Sequence, residues 1–446
     1  MKILKNPFLY HMKKLIFFWK ELLATFWFLP VLIICMAVLF SVITVVVDNA
    51  LTIPEEEWVR FFFVNNSDSA RSILTTISGA MIGVAGTVFS VTLVALTLAS
   101  SQFGPRLIKN FMYVKLNQVV LGSYIATYLY CLLILNSVKD NDGYVFIPTI
   151  SILVAILAAV VNIILLIVFI HQIAVSIQAD RIISDISDFI AKQLETLFGE
   201  KMGEENDNAG NQDFNPSIPD YPINVSIKSP KSGYLQYISS EVLVELVTEH
   251  DSILKMHHRP GSYLVKDIEI GELMTHSKWE EENIKKLLDQ FVIGKTKTPQ
   301  QDLEYSIHQM VEIALRALSP GINDPFTAIA CIDNLSSTMS YLAQAKFPSK
   351  YRYDEENNLR IIAKNLKFEG VLDAAFNQIR QFSAGSAAVI IRLMEALDTI
   401  QKFTKTENHK KAVIKHAKMV LFLGEETIKE PNDIEDLKER ARLVIK

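Results

Sequence analysis

The chain has 446 residues, of which 50% are hydrophobic, 10% aromatic and 21% charged, with a net charge of −5. This composition excludes a disordered or fibrous chain, and the acidic balance argues against a nucleic-acid binder. The charge is divided unevenly: residues 1–199 hold 13 Lys/Arg and 12 Asp/Glu, whereas residues 200–446 hold 31 and 37. The first part is nearly neutral and charge-poor, and the second has the charge density of a soluble domain.

Four apolar runs approach or exceed the ~20 residues of helix that cross a bilayer core of ~30 Å: Thr25–Val47, Ile73–Ala99, Val119–Leu135 and about Thr149–Ile170. None contains Asp, Glu, Lys, Arg or His, which disfavours proton-coupled carriers and voltage sensors. The first run is too long for a signal peptide and no A-x-A site follows, so it reads as a retained helix. Lys2, Lys5, Lys13, Lys14 and Lys20 precede it, and Arg106, Lys109 and Lys115 lie between the second and third runs. By the positive-inside rule both termini are expected to be cytoplasmic, with short outer loops near 48–70 and 136–148.

The second run carries small and hydroxyl residues at helical spacing: Thr76, Gly79, Gly83, Gly86, Ser90, Thr97 and Ser101. Such a stripe permits close helix contact, and it is equally the composition of a pore-lining face; both readings stay open. Arg71 and Arg106 mark its ends as candidate pore mouths or interfacial anchors. In the fourth run Asn162 is expected to be an interhelical hydrogen-bonding residue. That helix is expected to continue as an amphipathic segment through Gln172–Phe198, closing a membrane domain of residues 1–199. Residues 200–220, acidic and rich in Gly and Asn, read as a linker.

Residues 221–275 read as a β-rich subdomain, with strands near 223–228, 233–238 and 261–270 around a helix at 240–249. Residues 276–446 read as a helical subdomain with helices near 279–291, 302–318, 325–345, 368–382, 385–403, 408–424 and 433–444. The fold class is therefore mainly α: a four-helix transmembrane domain plus a cytoplasmic α+β domain. On helix 302–318, Glu304, His308, Glu312 and Arg316 recur every four residues, a pattern that supports a helix more often than it binds a metal. His257-His258 with His250 is a weaker metal candidate, and His409 and His416 read as surface or interface residues. Cys35, Cys131 and Cys331 are far apart and form no CxxC pair, so no disulfide or zinc site is expected. No phosphate loop, dinucleotide fingerprint, nucleophile elbow or zinc-protease motif is present, and no cofactor is implied.

Two segments are more specific than composition. One runs from Ala70-Arg71 through Gly79 and Phe89 to Ala99-Ser-Ser-Gln-Phe-Gly-Pro-Arg106; the other is Arg316-Ala-Leu-Ser-Pro-Gly-Ile-Asn-Asp-Pro-Phe-Thr-Ala328, with Asp333 following. Over most of its length the chain resembles a family of predicted bacterial membrane proteins of unknown function, domain-of-unknown-function family 2254. The family's glutamine–aspartate pair appears as Gln301-Asp302, and its preceding arginine–threonine reads Lys297-Thr298. The resemblance implies a bacterial inner-membrane protein with a cytoplasmic C-terminal domain and brings no activity with it.

Asp302, Glu312, Arg316, Asn323, Asp324, Thr327 and Asp333 form the candidate cytoplasmic ligand or interface site, with a capped helix corner as the plainer reading of Ser319–Pro325. The leading functional expectation is a homo-oligomeric, channel-like or passive transport protein in contact with the lipid bilayer, passing an unspecified small ion or solute. The rival is a membrane-tethered sensor or scaffold. An enzyme would have Asp302, Glu312, Asp324 and Asp333 as its acid–base candidates.

Overall fold

The computed structural model describes residues 25–50, 66–104, 115–141, 144–176, 178–199 and 220–445. The linker apart from Asp220, Arg106 and the N-terminal lysines lie outside them. The chain divides into two compact units, Met1–Gln178 and Ala179–Lys446. As the periodicity predicts, it is mainly α, with four apolar helices first and a small sheet region followed by helices later.

In the first unit α1 (Phe28–Ala50), α2 (Ser67–Phe103), α3 (Lys115–Ser137) and α4 (Thr149–Ser176) are each long and apolar enough to cross a membrane. A short antiparallel hairpin, β1 (Lys139–Asn141) and β2 (Tyr144–Phe146), joins α3 to α4. The other three helices all pack on α3, the most enclosed of the four. Several polar groups inside this bundle pair across helices. Asn162 accepts from Ser123 Oγ at 2.6 Å and donates to Thr127 Oγ1 at 2.8 Å, while its carbonyl accepts Tyr124 Oη at 2.6 Å. It is an interhelical hydrogen-bonding residue, as its place in an apolar run predicts. Asp48 of α1 accepts the backbone N–H groups of Ile150 at 2.8 Å and Ser151 at 2.9 Å. A carboxylate thus satisfies orphan donors at the positive end of α4.

The expected continuous helix 172–198 is two helices: α4 ends at Ser176, and α5 spans Ala179–Gly199 with Asp180 in its first turn. The apolar stripe Ile182, Ile183, Ile186, Ile190 and Leu194 is buried, and α5 packs on α8 (Leu303–Ala317) and α9 (Pro325–Gln344). Its amphipathic period therefore serves the C-terminal unit.

After α5 that unit continues with β3 (Ile223–Lys228), β4 (Gly233–Ile238), α6 (Ser240–Glu249), β5 (Ser252–Met256), β6 (Tyr263–Leu264) and β7 (Glu269–Thr275). The expected helix 279–291 is shorter, α7 (Glu281–Leu288), and is followed by β8 (Phe291–Gly294). β9 (Tyr351–Tyr353) and β10 (Leu359–Ile362) arise where the sequence reads as a connection between helices. A five-stranded sheet has the order β3-β7-β5-β10-β9 and a three-stranded sheet the order β6-β4-β8. Three strands from beyond residue 275 thus complete the sheets. At three or four residues each, they show too little alternation to be read alone. Ile227, Leu243, Val247, Leu254, Leu273, Trp279 and Ile361 lie within one core. The helical layer continues with α10 (Phe368–Phe382), α11 (Ala387–Lys402), α12 (Glu407–Thr427) and α13 (Pro431–Val444).

Candidate functional site

The face of α2 that packs inside the chain is lined by Ala70, Leu74, Met81, Ala85, Val88 and Ala99. The seven-residue stripe of Thr76, Gly79, Gly83, Gly86, Ser90, Thr97 and Ser101 lies on the opposite side and is exposed in the single chain. A Cβ added at Gly79, Gly83 or Gly86 would meet nothing within 4 Å. Its hydroxyls bond backward along their own helix: Thr76 to Ser72 O at 2.7 Å, Ser90 to Gly86 O and Thr97 to Leu93 O at 2.9 Å. That leaves their protons satisfied without water. The same uncovered side of α2 also carries Ile82, Phe89, Leu93 and Val94; the uncovered surfaces of α1 and α4 have no glycine and carry Leu39, Val42 and Val46, and Leu157, Ile163 and Ile167. Arg71 is exposed at the N-terminal end of α2.

The seven residues picked out in the C-terminal unit fall in three places. Asp302 stands at the N-terminus of α8, and the 15 residues of that helix separate it from the 319–325 corner by roughly 20 Å at 1.5 Å per residue. Asp302 Oδ1 accepts the Tyr305 N–H at 3.1 Å, and Oδ2 is 3.8 Å from Lys297 Nζ. Burial pushes its carboxyl above the ordinary carboxylate range, against the pull of Lys297. Gly261, at φ +91°, lies directly against this carboxylate, so a Cβ there would collide with it. Next to it Gln301 clasps Ile238, accepting its N–H at 2.9 Å and donating to its carbonyl at 3.2 Å. Arg259 Nη2 meets Glu304 Oε1 at 2.6 Å. From α5, Gln193 donates to Pro299 O and accepts from Ser306 Oγ at 2.8 Å. The glutamine–aspartate pair is thus the stitch between the β region and the start of α8.

At the corner, Asn323 takes φ +50° and the Asp324 N–H returns to Ala317 O at 2.8 Å. Asp324 then caps α9, accepting the Thr327 N–H at 3.1 Å and the Thr327 hydroxyl at 2.6 Å, with Pro325 at the first helical position. The Thr327 hydroxyl bond holds the Asp324 carboxyl below its ordinary range. Arg316 and Glu312 pair one turn apart at 3.8 Å. Phe326 projects from the corner 80% exposed. Asp333 lies farther along α9 and joins a separate network: Arg392 Nε to Asp333 Oδ1 at 2.6 Å, Arg392 Nη1 to Glu395 Oε2 at 2.8 Å, and Arg440 Nε to Glu395 Oε1 at 2.9 Å. Arg392, Glu395 and Arg440 carry no motif, and only the fold brings them to Asp333.

Among the described residues, one group of three metal-ligating side chains comes together, His257, Glu269 and Glu272. Glu269 faces Nδ1 at 3.4 Å and Glu272 faces Nε2 at 4.0 Å, opposite edges of one ring, and Lys255 Nζ already sits 3.0 Å from Glu272. The two carboxylates address different ring nitrogens, so the three side chains do not converge on one point. His409 and His416, expected at the surface or an interface, are buried within the helical layer. Their faces of α12 turn inward, where His416 Nε2 meets Asp373 Oδ1 at 2.9 Å and His409 Nδ1 meets Ala343 O at 3.2 Å.

Residues 24–399 match the model of the family described as "Predicted membrane protein (DUF2254)". Proteins named only as uncharacterized from Mycobacterium tuberculosis H37Rv and Mycobacterium bovis are each 31% identical over 347 residues, covering 76% of this chain. The matched region spans 65% of those relatives' own length. No solved structure matches. A four-helix apolar unit, the stitched Gln301-Asp302 pair and the capped 319–325 corner thus stand on a chain that belongs to the DUF2254 family of predicted membrane proteins.

Proposed function

We propose that this is a homo-oligomeric protein of the bacterial inner membrane with both termini cytoplasmic. In this reading α2 helices from several copies meet through their glycine and hydroxyl faces around an axis, forming a passive path for a small ion or solute. The C-terminal unit lies in the cytoplasm and assembles or gates that path. The observation that carries the reading is a difference between faces. The uncovered sides of α1 and α4 are bulky and without glycine, whereas the uncovered side of α2, beside its own Ile82, Phe89, Leu93 and Val94, has Gly79, Gly83 and Gly86 open to a neighbour. Small residues at that spacing let helix backbones approach closely.

Two measurements test it together: the mass of the detergent-solubilised assembly, and flux of small ions and solutes from liposomes holding the purified protein. A symmetric oligomer with flux that depends on α2 is the expected result. A monomer, or an oligomer with α2 facing away from its axis, refutes the reading. A second reading, a membrane-tethered sensor, is favoured by one observation, a polar groove in the helical layer of the C-terminal unit.

A further inference from the structure

The groove lies between α9 and α11, encloses about 360 Å³, and combines hydroxyl, charged and aromatic groups. Its size falls within the roughly 300–1,000 Å³ of small-molecule sites. Ser336, Ser337 and Ser340 enter it from α9 and Thr399 from α11, and Phe403 lies beyond the end of α11. The charged lining is Asp333, Arg392 and Glu395.

Two features say what the groove recognises. The Ser340 hydroxyl is buried, with the residue 8% exposed, and has no hydrogen-bond partner. Its neighbour on the same helix, Thr338, bonds back to Asn334 O at 3.1 Å. A buried hydroxyl left unbonded in the groove is a donor and acceptor awaiting a ligand atom. The second feature is charge. The guanidinium of Arg392 is held by Asp333 and Glu395, and the other oxygen of Glu395 is held by Arg440. An incoming anion would face two carboxylates with the nearest cation already engaged, and an incoming cation would have to displace Arg392. A neutral ligand meets neither obstacle.

We propose that this groove binds a small neutral polyhydroxylated molecule, a sugar or polyol. Its hydroxyls donate to Asp333 and Glu395 and exchange hydrogen bonds with Ser340, and its C–H face rests on the Phe403 ring, which is 42% exposed. Hydroxyl clusters beside fixed carboxylate–guanidinium pairs supply the alternating donors and acceptors that a polyol carries. This inference stands apart from the proposed path, and either survives the failure of the other.

The test is calorimetric titration of the full chain in a detergent without a sugar headgroup, using D-glucose, myo-inositol and glycerol as probes, with inorganic phosphate and putrescine as charged counterparts. Saturable binding of at least one polyol is expected, weakened roughly tenfold by Ser340→Val, about the factor carried by one hydrogen bond. Because that hydroxyl is unbonded without ligand, Ser340→Val leaves the melting temperature of the free protein unchanged or raises it. Thr399→Val, on the exposed side of the groove, provides a second variant that keeps the fold. No binding of any of the three polyols, binding that both variants leave unchanged, or preference for phosphate or putrescine overturns the proposal.

Discussion

Asp302 separates two roles that a buried carboxylate can play, capping and charge. Replacing it with alanine removes the acceptor for the Tyr305 N–H. Loss of such a cap costs about 1 kcal/mol, within a range of roughly 0.5–2, and the donor left behind lies at a buried residue, so a total of about 2 kcal/mol is expected. For a unit of this size each kcal/mol moves the melting temperature by roughly 2–4 °C, giving a fall of about 4–8 °C. Asp302→Asn keeps the acceptor and removes only the charge. Burial raises the carboxyl's folded-state pKa above its unfolded value of 3.8. The stability it contributes is therefore present below that value and lost as pH rises through the folded pKa. At pH 7 the ionised carboxylate is a cost, and Asp302→Asn should match or exceed the wild type, with its advantage shrinking as pH falls toward 4. Thermal unfolding of the full chain in detergent, followed by near-ultraviolet circular dichroism, reads both variants. If asparagine destabilises as much as alanine, the ion pair with Lys297 outweighs burial and the reasoning fails.

Gly261→Ala should lose about 3 kcal/mol by the same assay. It combines the roughly 1–2 kcal/mol of a left-handed residue with displacement of the Asp302 cap; a loss under 1 kcal/mol would mean that the loop moves away freely. Burial also holds His409 and His416 below the ordinary imidazole value of 6.5. Their folded state binds fewer protons, so stability is full above about pH 6.5 and falls as pH drops from there toward the folded pKa. The slope should reach up to about 1.4 kcal/mol per pH unit for each histidine, and the double change His409→Gln with His416→Gln should flatten it.

Much of the fold follows from patterns long enough to average over. Uncharged runs of helix length define α1 to α4, and the periodic stripe Ile182–Leu194 defines α5. What the periodicity does not carry is which partner an amphipathic face selects. The stripe of α5 reads as a continuation of the membrane helix, yet it buries on α8 and α9. β8, β9 and β10 escape notice because a strand of three or four residues shows hardly one alternation; β8 pairs with β4 and β10 with β5, both distant in sequence, and β9 joins the sheet through β10. The candidate sites divide in the same way. Ser319–Pro325 is visible because caps, turns and prolines have local signatures, whereas the Gln301-Asp302 pair stands out through the family resemblance; Asp302 and Asp324 both prove to cap helices. The groove chemistry uses common serines and an arginine brought together by tertiary packing alone.

The glycines of α2 decide the membrane half. In the single chain Gly83 has open space where a side chain would go, so Gly83→Leu should keep the bundle folded and gain about 1 kcal/mol of helix propensity. In an assembly built on that face, the same leucine would force apart two backbones that small residues let approach. The expected result is an unchanged or raised melting temperature, a shift of the detergent-solubilised protein to a smaller mass, and loss of flux. Val160→Ala on the bulky, uncovered side of α4 serves as the control and should change none of these. If the leucine variant keeps both its mass and its flux, the stripe faces lipid, the backward hydrogen bonds of Thr76, Ser90 and Thr97 are sufficient reason for hydroxyls there, and the path must be sought elsewhere or abandoned.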